Sequence, residues 1–301
     1  MSAGDVVNLV EGVIPDDYHC RCEFCQRTIG ELRPPGGGHY SRLERRAYYD
    51  PVERGKDNDN AHIAKTPLHI ARWAVQRYTA PGDWVLDPTI GAGTTAVEAI
   101  TQGRHAAGME LQFSVALEAN LKRARDLAKS LDDTKLPPYA KVRIGDARRL
   151  GAFLNEIAVP EFALVVNNPP YSGDEHAGAG GETKSGGKTW TTTYKDGLPN
   201  LAFLDEGPAY FDAITSIYAE CAARLRPGGY FIFGIKDMMR SRKPFMLHQK
   251  FNALLTERVG LVHIGTAFLK HHPTTLFLNT YFKRYGVHPP YYQTISVFRK
   301  D

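Results

Sequence analysis

The sequence predicts an α/β fold built on a mostly parallel sheet, with an antiparallel hairpin at one edge. Short apolar strand signals alternate with helical patterns from residue 65 onward, and such alternation produces right-handed βαβ units. A glycine-containing turn follows the first strand signal and leads into a helix pattern. The last two strand signals have no helix pattern between them, which indicates the antiparallel hairpin.

Seven segments carry the strand signal and therefore predict a seven-stranded sheet covered on both faces. The first helix pattern begins near Leu68 and is broken by Pro81-Gly82, and two more helices are predicted over 94–102 and 114–130. Leu225 to Gly229 predicts a helix end and a turn. The predicted strands are 84–86, 105–110, 141–144, 162–166, 230–235, 262–268 and 294–298.

Composition places the chain among globular proteins. Its 301 residues are 43% hydrophobic and 23% charged, which excludes collagen-like, coiled-coil and wholly disordered classes. No stretch approaches the roughly 18 consecutive apolar residues of a membrane span, and the N-terminus lacks the basic and apolar regions of a secretory signal. We therefore expect a cytoplasmic protein that does not associate with membranes.

The net charge of +4 is unevenly distributed along the chain. Residues 1–60 contain 8 Lys+Arg and 11 Asp+Glu, whereas residues 226–301 contain 12 Lys+Arg and 3 Asp+Glu. A basic last quarter is expected of a surface that contacts phosphates, although an ordinary solvated face has the same composition. The candidate phosphate contacts are Arg240, Arg242, Lys243 and Lys250.

The N-terminal segment contains a cysteine cluster. The spacing Cys22-x-x-Cys25 fits tetrahedral Zn²⁺. The candidate metal ligands are Cys20, Cys22, Cys25 and, as the fourth, His19 or His39. No second C-x-x-C completes the site, so free structural thiols and redox chemistry remain alternatives. We predict a loop-rich Cys/His module over 1–60 and an α/β domain over 61–301, with Cys221 buried in the core and His271-His272 on the surface.

The first predicted strand ends at Asp87 and continues through a glycine-containing turn into a helix. Ligands of doubly wound folds bind at such a helix N-terminus, at the carboxyl edge of the sheet. The spacing Gly91-x-Gly93-x-x-Ala96 also fits dinucleotide binding. Glu110, which ends the next predicted strand, suits the ribose hydroxyls of either cofactor. This turn alone therefore leaves the cofactor open.

A second motif, Asn168-Pro169-Pro170-Tyr171, follows the predicted strand over 162–166. Consecutive prolines end strand pairing and leave their carbonyls as rigid acceptors. The Asn168 side-chain oxygen and the Pro169 carbonyl suit the two hydrogens of a planar amino group, and the Tyr171 ring suits stacking on the attached base. Such an amine is a poor nucleophile, so the site has to orient and polarise it. An ordinary strand-terminating turn is the alternative.

The two motifs, about 80 residues apart, resemble those of the class I S-adenosylmethionine-dependent DNA amino-methyltransferases that act on adenine N6 or cytosine N4. Residues 87–95 are similar to the family's cofactor motif D-P-F-x-G-x-G-T-T, with Thr89 and Ile90 as departures. Asn168 to Tyr171 matches its [DNS]-P-P-[YFW] motif, and the motif order resembles the gamma arrangement. The resemblance spans roughly 62–300 and implies a Rossmann-like class I methyltransferase fold.

The resemblance implies S-adenosylmethionine as cofactor, and the cysteine spacing makes structural Zn²⁺ a separate candidate in the N-terminal module. It places Asp87, Pro88, Thr89, Gly91, Gly93 and Thr94 around the methionine portion, with Thr66 and Pro67 at the methionine end. It places Glu110 on the ribose and Asp146 near the adenine amino group. The implied catalytic residues are Asn168, Pro169, Pro170 and Tyr171.

The predicted function is methyl transfer to the exocyclic amino group of a flipped or single-stranded DNA base. Adenine N6 is favoured over cytosine N4 because Asn168 stands first in the second motif. The segment over 172–198, rich in Gly, Thr and Ser, is predicted to close over the substrate. The alternatives are an RNA base amino-methyltransferase acting on cytosine N4, adenine N6 or guanine N2, a protein glutamine N5-methyltransferase, and a non-catalytic nucleic-acid-binding protein.

Overall fold

The computed structural model describes residues 8–10, 22–33, 66–112, 115–131, 139–170, 201, 204, 207–240, 243–270, 282–283, 286 and 292–301. Its strands are β1 (Asn8–Val10), β2 (Thr28–Arg33), β3 (Trp84–Asp87), β4 (His105–Glu110), β5 (Ala140–Ile144), β6 (Phe162–Asn167), β7 (Leu225–Lys236), β8 (Met238–Arg240), β9 (Lys243–Phe245), β10 (Val262–Lys270) and β11 (Tyr292–Arg299). Its α-helices are α1 (Glu23–Gln26), α2 (Leu68–Tyr78), α3 (Thr94–Thr101), α4 (Val115–Leu131), α5 (Leu150–Glu156), α6 (Pro208–Arg224) and α7 (Leu247–Ala253). None of the helices in these ranges is both long enough and apolar enough to cross a membrane.

Nine strands form one sheet in the order β1-β2-β10-β11-β7-β6-β3-β4-β5. The central strands β7, β6, β3, β4 and β5 are parallel to one another, and β11 is antiparallel to both β7 and β10. The chain builds outward from β3 through β4 to β5 and then returns to place β6 on the other side of β3. The seven strands from β10 to β5 thus form a mostly parallel sheet with one antiparallel strand, β11. This is the arrangement of class I methyltransferases, so the predicted fold class is confirmed.

The sheet differs from the prediction at one edge. Strand β2 joins it parallel to β10, and β1 pairs antiparallel with β2, so the described sheet has nine strands rather than seven. The antiparallel pair of β10 and β11 consequently lies inside the sheet. The N-terminal segment has little hydrophobic periodicity. Leu32 of β2 is nevertheless fully buried in one of the two apolar cores of the sheet, and this burial holds β2 in place. The division of the chain at residue 60 stays a prediction, because 34–65 lies outside the described residues.

Two apolar cores cover the two faces of the sheet. One contains residues of α2, α3 and α4, such as Trp73, Ile100 and Leu121. The other contains residues of α5, α6 and α7, such as Phe153 and Phe251. Both faces of β6 are buried, which explains why this strand has the near-continuous apolar sequence that predicted it.

The reversal of strand order between β3 and β6 creates a topological switch point. Loops leaving the carboxyl ends of these two strands diverge there and open a crevice, which is where ligands bind in open α/β sheets. Strand β3 ends at Asp87 and β6 ends at Asn167, so both predicted motifs begin at this crevice.

Candidate active site

Asp87 anchors the turn that follows β3. It is buried and accepts three hydrogen bonds: from the Thr95 hydroxyl at 2.7 Å, the Thr89 backbone N–H at 3.2 Å and the Asn167 side-chain amide at 3.1 Å. Burial raises the pKa of this carboxyl to about 6, although the three donors counteract that effect. The carboxylate therefore stabilises the turn through its hydrogen bonds, and at neutral pH it is a buried negative charge.

Two glycines give the turn its shape. Gly91 and Gly93 have φ values of +55° and +86°, a left-handed conformation that favours glycine. A Cβ on Gly93 would also lie 2.8 Å from Leu117 of α4, so the helix packs directly against the turn. These constraints explain why the sequence has glycine at both positions before α3.

Glu110 closes the turn from the end of β4. Its carboxylate accepts the Gly91 N–H at 2.9 Å and the Gln112 N–H at 3.3 Å, and the residue is only 4% exposed. The Asn120 side chain donates to the Ala92 carbonyl at 2.9 Å. The predicted contact of Glu110 with a ribose stays a prediction.

The charge of this turn bears on the choice of cofactor. A pyrophosphate needs free backbone N–H donors at the helix N-terminus. Here the N–H of Gly91 already donates to Glu110 and the N–H of Gly93 donates to the Ile90 carbonyl at 2.9 Å. The buried carboxylates of Asp87 and Glu110 instead suit a ligand with positive charge, such as the sulfonium and ammonium groups of S-adenosylmethionine. The chemistry of the turn therefore fits that cofactor and disfavours a dinucleotide.

The remaining predicted cofactor contacts lie on neighbouring elements. Pro67 is buried directly before α2, and its carbonyl accepts the Ile70 N–H at 3.0 Å. Asp146 follows β5 and accepts the Arg148 guanidinium through bonds of 2.6 to 3.0 Å. Burial raises the pKa of Asp146, but the hydrogen bonds and charge of Arg148 outweigh it and hold the pKa below its usual value. A contact of Asp146 with an adenine amino group stays a prediction.

The second motif begins where β6 ends, and Asn168 is held from the neighbouring strands. The Gly234 and Asn167 carbonyls lie 3.1 and 3.2 Å from its side-chain amide, and since carbonyls only accept, the NH₂ group faces them. The side-chain oxygen then accepts from Gln293 Nε2 at 2.9 Å. A Cβ on Gly234 would overlap the terminal amide of Asn168. The Asn168 oxygen is thus fixed in orientation and keeps one lone pair for a further donor.

The two proline carbonyls have different surroundings. The Tyr210 hydroxyl donates to the Pro170 carbonyl at 2.7 Å, which fixes the turn against α6. No donor among the described residues bonds the Pro169 carbonyl, and Pro169 itself is buried. Tyr171 and the segment over 172–198 lie outside the described residues, so stacking and closure stay predictions. The geometry leaves the Pro169 carbonyl available as the acceptor that the motif predicts.

Asn167 connects the two motifs. It is 1% exposed, and its side-chain amide donates to Asp87 and to the Thr89 hydroxyl at 3.1 and 2.7 Å. Its oxygen accepts the Tyr218 hydroxyl of α6 at 2.8 Å. The cofactor turn and the Asn-Pro-Pro turn are therefore held in one buried hydrogen-bond network.

Sequence reasoning missed Asn167, Tyr218, Gln293 and Gly234. Asn167 could have been found, because a polar residue that ends an otherwise apolar strand needs a buried partner. Gln293 and Gly234 carry no local signal. They meet Asn168 only because β11 lies antiparallel beside β7 in the register that pairs Gln293 with Lys236.

The candidate phosphate contacts are only partly described. The Lys250 ammonium lies 4.5 Å from the Phe245 ring centroid and 5.6 Å from that of Phe211. Arg242 lies outside the described residues, and nothing is described of the Arg240 and Lys243 side chains. Other basic residues of the last quarter pair with acids: Arg226 with Asp83, Arg258 with Asp212, and Arg299 with Asp301. Because Asp83 and Asp212 lie outside residues 226–301, the local excess of positive charge is smaller than the count over that range implies. The phosphate contacts stay predictions.

The predicted cysteine cluster is described in part. Cys22 and Cys25 lie beside His248, a residue the sequence did not single out. His19, Cys20 and His39 lie outside the described residues, as do His271 and His272. Cys221 is fully buried on α6, as predicted.

Comparison with known proteins supports the reading of the first motif. The model of the DNA methylase family of N6 and N4 enzymes matches residues 39–120. The type II methyltransferase M.MthZI of Methanothermobacter thermautotrophicus is 34% identical over 76 residues, 25% of this chain and 21% of that protein. The type II methyltransferase M.BglI of Bacillus subtilis is 39% identical over 70 residues, 23% of this chain and 19% of that protein. The chain thus matches about a fifth of the length of each relative.

A solved class I S-adenosylmethionine-dependent methyltransferase from Listeria monocytogenes covers 82% of this chain and 63% of its own, at 15% identity and a TM-score of 0.43. The fold assignment rests on the strand order described above. The family match includes the turn after β3 and Glu110, while the Asn-Pro-Pro turn lies beyond it. The match over residues 39–120, on a class I methyltransferase fold, confirms the resemblance to the DNA amino-methyltransferase family and with it S-adenosylmethionine as the cofactor.

Proposed function

We propose that this protein transfers a methyl group from S-adenosylmethionine to the exocyclic amino group of a base in DNA, with adenine N6 favoured over cytosine N4. The observation that carries the proposal is the buried hydrogen bond between Asn167 and Asp87. It holds an amine-binding turn directly beside a turn whose charge suits a sulfonium cofactor. The family match supports DNA as the polymer, and the preference for adenine rests on Asn168 as the first residue of the motif.

When bound, the cofactor would supply a methyl carbon on a positively charged sulfur for attack by a nitrogen lone pair, and the methylated amine then releases one proton. The residues proposed to hold it are Asp87, Gly91, Gly93, Thr94 and Glu110, with Thr66, Pro67, Pro88, Thr89 and Asp146 around them. Asp87 and Glu110 contribute negative charge, which favours binding of a cation over binding of the neutral thioether product. The same charges therefore favour product release after transfer.

At the second turn, the Asn168 oxygen and the Pro169 carbonyl are proposed to accept the two hydrogens of the base amine. Hydrogen bonding through both hydrogens directs the remaining lone pair out of that plane and raises the electron density on nitrogen. Because Gln293, Gly234 and Asn167 hold Asn168 in place, this orientation costs little reorganisation when the base arrives. Tyr171 is proposed to stack on the base, and a duplex base has to be extruded to reach the turn.

The test is transfer of radiolabelled methyl to unmethylated genomic DNA and, in parallel, to total RNA, followed by nucleoside analysis. We expect label in N6-methyladenine of DNA, at least about 100-fold less of it with Asn168→Ala, and unchanged cofactor affinity for that variant. The matched control is Asn155→Ala, because Asn155 is an exposed asparagine of α5 at the opposite edge of the sheet. Label in N4-methylcytosine would correct the base, and label only in RNA would correct the polymer. Cofactor binding without label in either would contradict the proposal.

A further inference from the structure

A second cluster of reactive side chains lies apart from the proposed active site. The Nε2 atom of His248 is 3.5 Å from Cys22 Sγ and 3.3 Å from Cys25 Sγ, and the three possible ligand atoms lie within 4.8 Å of one another. Cys25 and His248 are fully buried, while Cys22 is half-buried. Phe268 and Tyr292 pack against Cys25, so the surroundings are apolar. The two sulfurs and the imidazole are thus close together in a largely buried, apolar environment.

Asp237 orients the imidazole. Its carboxylate accepts the His248 ring Nδ1–H at 2.6 Å and the His248 backbone N–H at 3.1 Å, and it is 1% exposed. A carboxylate is an acceptor, so Nδ1 carries a proton, and Nε2 is the ring nitrogen that faces the two sulfurs. A carboxylate that holds Nδ1 while Nε2 faces the metal is the usual outer support of a zinc-ligating histidine.

The two sulfur–nitrogen distances are close to those of a tetrahedral zinc site. Zn–S bonds of about 2.3 Å and Zn–N bonds of about 2.05 Å place a sulfur and a nitrogen ligand about 3.6 Å apart. The observed separations of 3.3 and 3.5 Å are close to this value. We propose that Cys22, Cys25 and His248 are ligands of a structural Zn²⁺ ion, with Asp237 as the residue that positions His248.

The site would secure the N-terminal segment to the rest of the protein. Cys22 directly precedes α1 and Cys25 lies within it, and α1 packs beside β10. The two cysteines are 226 and 223 residues from His248 in the chain. His248 lies in α7, shortly after the carboxyl end of β7. The ion would therefore link α1 to α7 at the same sheet edge as the Asn-Pro-Pro turn. Cys20, the further ligand predicted from the sequence, lies outside the described residues.

A thiol nucleophile activated by His248 and Asp237 is the competing reading of the same residues. It is disfavoured because Cys25 is completely buried and because two sulfurs approach the same imidazole nitrogen, whereas catalysis needs one accessible thiol. A disulfide between Cys22 and Cys25 is a second alternative, but the two sulfurs are not bonded to each other in the structure.

The experiment measures metal in the purified full-length chain by mass spectrometry and by X-ray absorption at the zinc edge. We expect one zinc per chain, with sulfur and imidazole scatterers in its first shell. Replacement by Co²⁺ should give the thiolate-to-metal charge-transfer absorption of a tetrahedral site. These measurements use the unmodified protein, so they do not depend on the folding of any variant.

Variants then identify the ligands. Cys22→Ser and His248→Ala should each lower zinc content to less than about a tenth of the wild-type value, and Asp237→Asn should weaken zinc binding about 10- to 100-fold. The matched controls are Cys221→Ser, a buried thiol in another core, and His105→Ala, a half-buried histidine on β4. Both should keep one zinc per chain.

Three results would overturn the proposal. The first is a chain that contains no zinc when purified from zinc-supplemented cells and that gives no charge-transfer band with Co²⁺. The second is a His248→Ala chain that retains zinc with wild-type affinity. The third is rapid alkylation of Cys25 in the folded protein at a rate that zinc does not change, which would indicate a reactive thiol.

Discussion

The carboxyl edge of the sheet has two parts whose buried polar groups are satisfied in different ways. In the inner part, where β3, β4 and β6 end, the carboxylate of Asp87 is surrounded by hydroxyl and amide donors of the protein. In the outer part, where β7 and β10 end and β11 begins, His248 Nε2 faces the sulfurs of Cys22 and Cys25. In the inner part, donors of the protein itself therefore satisfy the buried Asp87 carboxylate. In the outer part, the two sulfurs and the imidazole are arranged as the proposed zinc site requires.

The largest expected effect follows from removing the link within the inner part. Asn167→Leu leaves the Tyr218 hydroxyl without its acceptor and takes a donor from Asp87, all in a fully buried place. We expect a loss of about 3 to 4 kcal/mol in the free energy of unfolding, measured by urea denaturation, together with loss of methyl transfer. Asn155→Ala, on the exposed surface of α5, should change stability by less than about 0.5 kcal/mol. A loss of less than 1 kcal/mol for Asn167→Leu would show that the network is not continuous.

The charge of the inner part should appear as a pH dependence. Because burial raises the pKa of Asp87 to about 6, the folded protein binds this proton more tightly than the unfolded chain does. The Asp87 contribution to stability is therefore largest below about pH 4 and falls as the pH rises toward 6, by on the order of 3 kcal/mol.

Asp87→Asn has no such titration. Urea unfolding at pH 4.5 and pH 7 should show that the wild type loses stability relative to this variant over that interval. Saturating cofactor should reduce the difference, because a bound cation favours the ionised carboxyl. Parallel profiles for the two proteins would contradict the buried, charged state of Asp87.

At the border of the two parts, Gly234→Ala tests whether Asn168 is held in position by β7. The added methyl group overlaps the Asn168 amide and displaces it. We expect methyl transfer to fall about 100-fold, equivalent to about 2.7 kcal/mol, because small displacements at the reacting groups are costly. Cofactor affinity, measured by calorimetry, should stay within about threefold of wild type. An equal loss of cofactor affinity would show that the change spreads into the inner part.

The smallest effect is expected at His263 of β10, in the outer part. Burial, and secondarily the charge of Arg27, lower its pKa to about 4. The Thr266 hydroxyl donates to the Phe24 carbonyl at 3.0 Å, so the His263 Nε2–H donates to the Thr266 oxygen at 3.1 Å. The folded protein resists protonation of this ring, so stability is lost as the pH falls from about 6.5 toward 4.

His263→Gln should reduce this loss of stability at acid pH by about 1 kcal/mol or more, because the buried imidazole that resists protonation is gone. Thermal denaturation at pH 7 and pH 4.5 would measure it. If the variant loses as much stability as the wild type between pH 7 and pH 4.5, His263 does not take up a proton on unfolding in this range. Zinc content should be the same in this variant as in the wild type.

Much of the fold was predictable because its signals are local. The apolar runs of the seven predicted strands and the helix breaks, such as the one at Pro81-Gly82, all lie within short windows of sequence. Strand β2 was not predicted, because its place beside β10 depends on a partner more than 200 residues away. The turn predicted over 225–229 falls within the bounds of β7 in the structure. Gly228 nevertheless has a φ of +71° there, a left-handed conformation typical of a turn.

The sequence by itself determined the two motifs, their order and the chemistry that their residue types can perform, because each motif is a continuous turn whose geometry follows from its own glycines and prolines. Only the tertiary structure decided which groups support them. Gln293 meets Asn168 through the register of β11 on β7, and His248 meets Cys22 and Cys25 across more than 220 residues. Contacts of that kind depend on strand register and helix packing, which no local pattern encodes.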